Sequence, residues 1–440
     1  MRGQRRRTVA ILTLVWVVGM ATACSKVTAG VPVADPDASV RPEVSNEPVE
    51  LTVSSFGEFG FDALLEEYQR QHENVTIRHD RTTDSASYLP KLQASLAAGT
   101  ASDVVAIDDF GMAALLDQPD LFADLAEVGP DDVSAERWLD WVHKGGIAPE
   151  GTWVGYGVDI GPTAMAYRTD LFAAAGLPTE PSEVAALFES WDSYFSAGDR
   201  YVQATGKPWF DSSAQVFTVM HNQLETGYFD EDGALVIESN QRIKANWDQV
   251  TAAAGRGQSA KLPAFMPEWI SGLGKPSFAT MPAPYWMLGL IEAHGGPSNA
   301  GKWAVAPAFP GGSANWGGSY LAVPAQGEHP EEAAALAAWL TAPEQQLTAF
   351  ETASVFPGQV EALESSTLRG ATKDYFTGEK TAGVYAELAT KVPVPRQPGA
   401  RSGEVQQQAV VPALQAVDTG LPPDQGWQQA VTQAKQVAGR

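Results

Sequence analysis

Between Val49 and Asp109 the chain alternates strand and helix patterns, and this alternation constrains the fold more than any other feature. "VELTVSSF" carries the β-branched residues of a short strand, and Gly57 ends it. Asp62–His72, "DALLEEYQRQH", is an amphipathic helix with Leu64, Leu65 and Tyr68 on one face. "NVTIRHD" is a second strand. Tyr88–Ala98, "YLPKLQASLAA", is a second helix closed by Gly99 as its C-cap. "DVVAIDD" has the unbroken apolar run of a buried parallel strand. Strand, helix, strand, helix, strand is the rhythm of an open α/β sheet.

A second α/β region follows. "TAMAYRTDLFAAAGL" predicts a strand and then a helix that starts near Asp170 and stops at Gly176. "WDSYFSAGDRYVQATG" is helical, and "GYFDEDGALVIES" is expected to form a hairpin turning at Asp232-Gly233. Helices are expected over Gln241–Ala254 and Pro330–Phe350, and two more over Val405–Ala438, broken at 419–423. At 440 residues, 44% of them hydrophobic, the chain has room for two lobes and a sizeable core. The formal charge of −24 argues against a nucleic-acid partner, which needs clustered Lys and Arg.

The amino terminus is expected to be a targeting segment over residues 1–23. Arg2, Arg5, Arg6 and Arg7 precede the apolar "TVAILTLVWVVGM", too short for a comfortable membrane span. Ala21-Thr22-Ala23-Cys24 resembles a bacterial lipobox, with Ala21 where leucine is usual; the resemblance implies that Cys24 is lipidated. Cys24 is the single cysteine of the chain, so it has no disulfide partner within it. Residues 24–48, rich in Pro, Ser, Ala and Asp, are expected to be a flexible tether reaching roughly 25–30 Å.

Several stretches, in order, resemble the carbohydrate-binding group of bacterial extracellular solute-binding proteins (family 1) of ABC importers. These are "LTVSSFGEFG", "LAAGTASDVVAIDDFGMAALLDQPDLFADL", "DIGPTAMAYRTDLFAAAGLP", "GKPSFATMPAPYWMLGL", "WAVAPAFPGGSANWGGSYLAV" and "AAALAAWLTAPEQQLTAF". The resemblance implies a type II two-lobed α/β fold, each lobe an open mixed sheet flanked by helices. It places residues 49–158 and 307–342 in the amino-terminal lobe and 159–306 and 343–440 in the other. It implies a sugar bound between the lobes, closure by hinge bending and delivery to an ABC permease. It also implies a monomer without a cofactor, anchored by lipid at the outer face of the cytoplasmic membrane.

A sugar packs its C–H face on an aromatic ring and donates its hydroxyls to carboxylates. The candidate ligand residues follow from that chemistry and from the resemblance. Phe56, Gly57 and Glu58 lie in the first strand-to-helix loop; the plainer reading of Glu58 is a solvated loop acid. Asp108 and Asp109 end a buried strand at its carboxyl edge, where open α/β sheets bind ligands. Neighbours at a strand end point opposite ways, so one is expected to bind and one to cap the next helix; the resemblance favours Asp108 as the binder. Asp159 falls at the first lobe crossing, where a hinge hydrogen bond is the alternative. Tyr285 and Trp286 sit among prolines that fix the backbone, with core packing the alternative. Asn315, Trp316, Gly317 and Gly318 sit at the return crossing, where glycine serves both flexing and close approach. Gln215, His221, Asn222, Gln223, Phe356 and Pro357 are weaker candidates.

Two other classes were weighed: an importer protein for a non-sugar solute, and a secreted glycoside hydrolase. A hydrolase needs an acid and a second carboxylate across the pocket, and no motif singles out such a pair among 53 acids. GxSxG is absent, no GxxxxGK[ST] run occurs, and the six histidines form no metal motif.

Overall fold

The computed structural model of the protein describes residues 47–377, 380–393 and 401–439. The leader 1–23 and the lipidation candidate Cys24 lie outside the described residues. Among the described residues no helix is long and apolar enough to cross a membrane.

Strands β1 (Val49–Phe56), β2 (Val75–Thr82) and β3 (Val104–Asp108) run parallel, with β1 in the middle. Helices α1 (Phe61–Gln71) and α2 (Ser85–Ala98) connect them. Each helix buries one stripe, Leu64, Leu65 and Tyr68 on α1 and Tyr88, Leu92 and Leu96 on α2, at the three-to-four spacing that places side chains on one face. Gly99 closes α2 at φ 70°, a left-handed position that favours glycine.

The remaining strands are β4 (Gly155–Arg168), β5 (Thr280–Pro284), β6 (Trp303–Val305), β7 (Asn315–Ala322) and β8 (Phe376–Thr377). Fourteen-residue β4 joins the two halves of the sheet system. Its first half pairs antiparallel with β7, and its second half pairs with β5 and β6. β7 lies between β3 and β4, antiparallel to both.

Two expectations are corrected. The helix expected over Pro330–Phe350 is two helices, Pro330–Leu340 and Pro343–Ala353, because Pro343 cannot continue the first and instead opens the second. The hairpin expected at "GYFDEDGALVIES" shrinks to one bridge between Phe229 and Leu235. There the Asp230 carboxylate accepts from the backbone amides of Asp232 and Ala234, at 3.1 and 2.9 Å, in an Asx turn, beside the ladder bonds from the Asp230 amide to the Ala234 carbonyl and from the Val236 amide to the Tyr228 carbonyl, at 3.1 and 2.8 Å.

Candidate functional site

The register of β7 gathers the acids. Ser319 faces Asp108 of β3 on one side and Asp159 of β4 on the other. Asp109 follows Asp108, so three carboxyl groups crowd one point of the sheet. Burial, chiefly, and then the charges of Asp108 and Asp159 push the Asp109 carboxyl up to about 8, while the backbone amides of Phe110 and Gly317 pull the other way. Although Asp109 is half-buried as a residue, its Oδ1 is sealed from solvent and has no hydrogen-bond partner. Burial likewise raises Asp159 to about 6, against the Ser319 hydroxyl, with Asp108 adding to the rise. Its Oδ1 is also sealed and unpartnered.

Of the expected division of labour between the adjacent acids, the structure shows the capping half, and it falls to Asp108. Asp108 takes the cap of helix α3 (Asp109–Leu115), accepting from the Gly111 amide at 2.7 Å and from the Ser85 hydroxyl. Asp109, inside the first turn, is the acid that lines the cavity.

The crossing of β4 and β7 is irregular, with register shifts between Gly157 and Asp159 and between Ile160 and Pro162. A Cβ on Gly161 would lie 1.9 Å from the Trp316 carbonyl oxygen. The Gly161 amide donates to Asn315 Oδ1 at 2.9 Å, and Asn222 Nδ2 donates to the Asn315 carbonyl at 2.9 Å. Gly317 and Gly318 have φ 91° and 133°, and a Cβ on Gly318 would meet the Asp159 carbonyl at 2.9 Å. These glycines serve both positive φ and close strand approach. Trp286 Nε1 donates to the Trp316 carbonyl at 3.0 Å, and the two half-buried rings meet edge to face, 6.1 Å apart.

A cavity of about 190 Å³ opens beside this crossing. Asp109, Phe110, Trp141 and Lys144 line it on one side; Thr218, His221, Asn222 and Tyr228 line it on another. Asn315 and Tyr320 come from β7, and Ser402, Gly403 and Gln406 from near the end of the chain. Tyr228 donates its hydroxyl to Gln406 Oε1, and Gln406 Nε2 donates to Thr218 Oγ1 at 2.7 Å. Gln406 opens a π-helical turn, Gln406–Val410, a backbone form often found at functional sites. His221 stacks on Tyr228 with centroids 3.9 Å apart, and burial pushes its imidazole down to about 3, so the ring is neutral. Lys144 is engaged by Asp140 at 2.8 Å. The lining thus combines flat rings, amides, hydroxyls and the carboxyl group of Asp109.

The other candidates lie elsewhere. Phe56 packs on Phe59 and Tyr88, Gly57 takes φ 62°, and Glu58 pairs with Arg81 while accepting from the Gly60 amide at 2.9 Å. None of the three lines this cavity. Tyr285 is buried in a ring cluster, 4.6 Å from Phe356. Gln215 bonds Asp211, and Gln223 holds the carbonyls of Pro310 and Ser313. Phe110, Trp141, Tyr228 and Gln406 were not anticipated as site residues: only Phe110 adjoins a candidate, Asp109, and the others reach the cavity through tertiary packing.

Residues 63–374 match the family model of bacterial extracellular solute-binding proteins. A solved structure of an extracellular solute-binding protein family 1 member is 41% identical, covering 89% of this chain and 100% of that one, with TM-score 0.86. The lactose-binding protein of Rhizobium radiobacter is 28% identical over 246 residues, 53% of this chain and 56% of that protein. The arabinooligosaccharide-binding protein of Bacillus subtilis is 28% identical over 194 residues, 40% of this chain and 42% of that protein. The chain thus spans about half the length of the curated relatives it matches. The α/β architecture built around β4 is the two-lobed fold of these binding proteins. With the family model covering well over half of its length, this chain belongs to the bacterial extracellular solute-binding proteins.

Proposed function

We propose that this protein binds a di- or oligosaccharide in the cavity beside the β4–β7 crossing and delivers it to an ABC-type permease. The observation that carries the reading is the lining of that cavity, which sets the Asp109 carboxyl and the side chains of Asn222 and Asn315 among the rings of Phe110, Trp141 and Tyr228. Carboxyl and amide groups among flat rings fit a sugar, whose hydroxyls bond the polar groups while its C–H face packs on a ring. The names of the lactose- and arabinooligosaccharide-binding relatives support the same ligand class.

In this reading residues 49–158 and 307–342 form one lobe and 159–306 and 343–440 the other. The change of β4 partners from β7 to β5 and β6, between Pro162 and Thr163, supports a boundary a few residues after Asp159. Closure bends the bulged crossing, driven by ligand contacts that only the closed state makes. Trp286 and Trp316 supply aromatic surface, and Asp159 and Asn315 polar contacts. The protein acts as a monomeric carrier without catalysis, held by lipid on Cys24 at the outer face of the membrane.

The test is thermal unfolding of the purified protein with lactose, arabino-oligosaccharides and malto-oligosaccharides, set against amino acids, polyamines and glycerophosphodiesters. A specific ligand at 100 times its Kd stabilises by about 2.7 kcal/mol. Stabilisation by a sugar that stays intact, weakened in Trp286→Ala and Asp109→Ala variants that remain folded, is expected. Shifts for the other solutes alone would retain the carrier and overturn the sugar. Released monosaccharide would make the protein a hydrolase.

A further inference from the structure

Among the described residues, Lys144 is the single lysine or arginine in the cavity lining. It sits near the end of a short helix, Asp140–Gly145, whose backbone is pinned to the site. Trp141, one turn earlier and also in the lining, donates its Nε1 to the Ala389 carbonyl at 3.0 Å. The Val142 carbonyl accepts from the Tyr320 hydroxyl at 3.1 Å, and a Cβ on Gly145 would lie 2.1 Å from that same hydroxyl. The helix cannot swing away without breaking two buried hydrogen bonds.

The head of Lys144 is held far more loosely than its backbone. Its ammonium pairs with Asp140 at 2.8 Å, four residues back, and the two side chains are 56% and 63% exposed. An exposed pair at this spacing contributes little and exchanges readily for another carboxylate. The rest of the lining sets no competing charge against the ammonium. Asp109, the one acid there, is held up to about 8 and keeps its proton at neutral pH. Burial holds the His221 imidazole at about 3, so it is uncharged. Asp108 and Asp159 are outside the lining: Asp108 is engaged by the Gly111 amide and the Ser85 hydroxyl, and Asp159 by the Ser319 hydroxyl.

Resting on the sugar reading above, we propose that the ligand is an acidic oligosaccharide, and that Lys144 takes the carboxylate of one of its units in exchange for Asp140. The neutral lining meets the rings and hydroxyls of the sugar, and the single ammonium meets its charge. A uronic acid unit fits because it carries one negative charge; a phosphate ester carries close to two and leaves one unmatched. The pinned helix presents the lysine before binding, so the cost of ordering falls on the side chain alone.

The experiment is calorimetric titration of wild type, Lys144→Met and Lys144→Arg with matched sugars. Cellobiose, lactose and maltotriose are each set beside the derivative whose non-reducing unit is oxidised to the uronic acid. The readout is the ratio of the two affinities within a pair. In the pairs that bind, wild type is expected to hold the acidic member about tenfold tighter. The ratio should shrink from low to high salt, as the attraction is screened. It should fall close to unity in Lys144→Met and persist in Lys144→Arg. Equal or weaker binding of the acidic member by wild type would overturn the proposal while leaving the sugar reading intact. So would a ratio that survives Lys144→Met. Absence of binding for both members of every pair would overturn the sugar reading itself, and the acidic ligand with it.

Discussion

Gly161 and Trp316 face each other across the β4–β7 crossing so closely that any side chain at 161 would run into the Trp316 carbonyl. The obstacle, 1.9 Å from the position of a Cβ, is backbone and cannot rotate away. Gly161→Ala is therefore expected to force the two strands apart and to disturb the Trp286–Trp316 contact. The expected loss is about 2–4 kcal/mol of stability, read as a lower midpoint in urea unfolding. A variant as stable as wild type would show that the crossing yields easily.

Asp109 gives the protein a specific pH response. Its carboxyl is held at about 8 when folded, against about 4 in an unfolded chain. The folded protein keeps this proton while the unfolded chain releases it, so this group's contribution to stability falls as pH rises from about 4 to about 8. Asp109→Asn removes the titration. Its stability relative to wild type, read from urea unfolding, is expected to climb across that range, the gap widening by up to about 5 kcal/mol between pH 4 and pH 8. A difference that does not vary with pH would sink the assignment.

His221 works in the opposite direction. Its pKa falls to about 3 by burial, against about 6.5 unfolded. The folded state refuses a proton that the unfolded state accepts, so this contribution to stability is lost as pH falls from about 6.5 towards 3. Proton NMR should find the His221 ring resonance constant between pH 8 and 5. A titration midpoint near 6.5 there would contradict the sealed environment.

Gln406 is the donor and acceptor link between Tyr228 and Thr218. Gln406→Glu keeps an acceptor for the Tyr228 hydroxyl but sets an oxygen against Thr218 Oγ1, whose own proton goes to the Ala214 carbonyl at 2.8 Å. A cost of about 1–3 kcal/mol in urea unfolding is expected. Thr218→Ala in the same background should recover part of it, which a double-mutant cycle would measure.

The elements that could be read from sequence are those whose signal is local. The three parallel strands, α1 and α2 followed from apolar periodicity, and the Gly99 cap from the need for a left-handed residue. The break at Pro343 was missed because apolar spacing continues on both sides of it, though the ring cannot. The hairpin at Asp230 is shorter than expected: the Asp230 side chain takes two turn amides, and the strands meet in one bridge. At the site, the split between Asp108 and Asp109 follows from strand geometry alone. Which acid caps was decided by the start of α3, a boundary that periodicity does not fix to one residue. Trp141, Tyr228 and Gln406 lie far apart in the chain and carry no shared pattern. Only the docking of distant helices brings them to one cavity.

Ser402, Gly403 and Gln406 enter the cavity from near the carboxyl terminus, while Asp109 and Phe110 enter from the first quarter of the chain. No amino-terminal fragment, however well its parallel strands have formed, can contain a finished site. During synthesis the cavity proposed for the ligand closes only after residues 402–406 have been made and have docked.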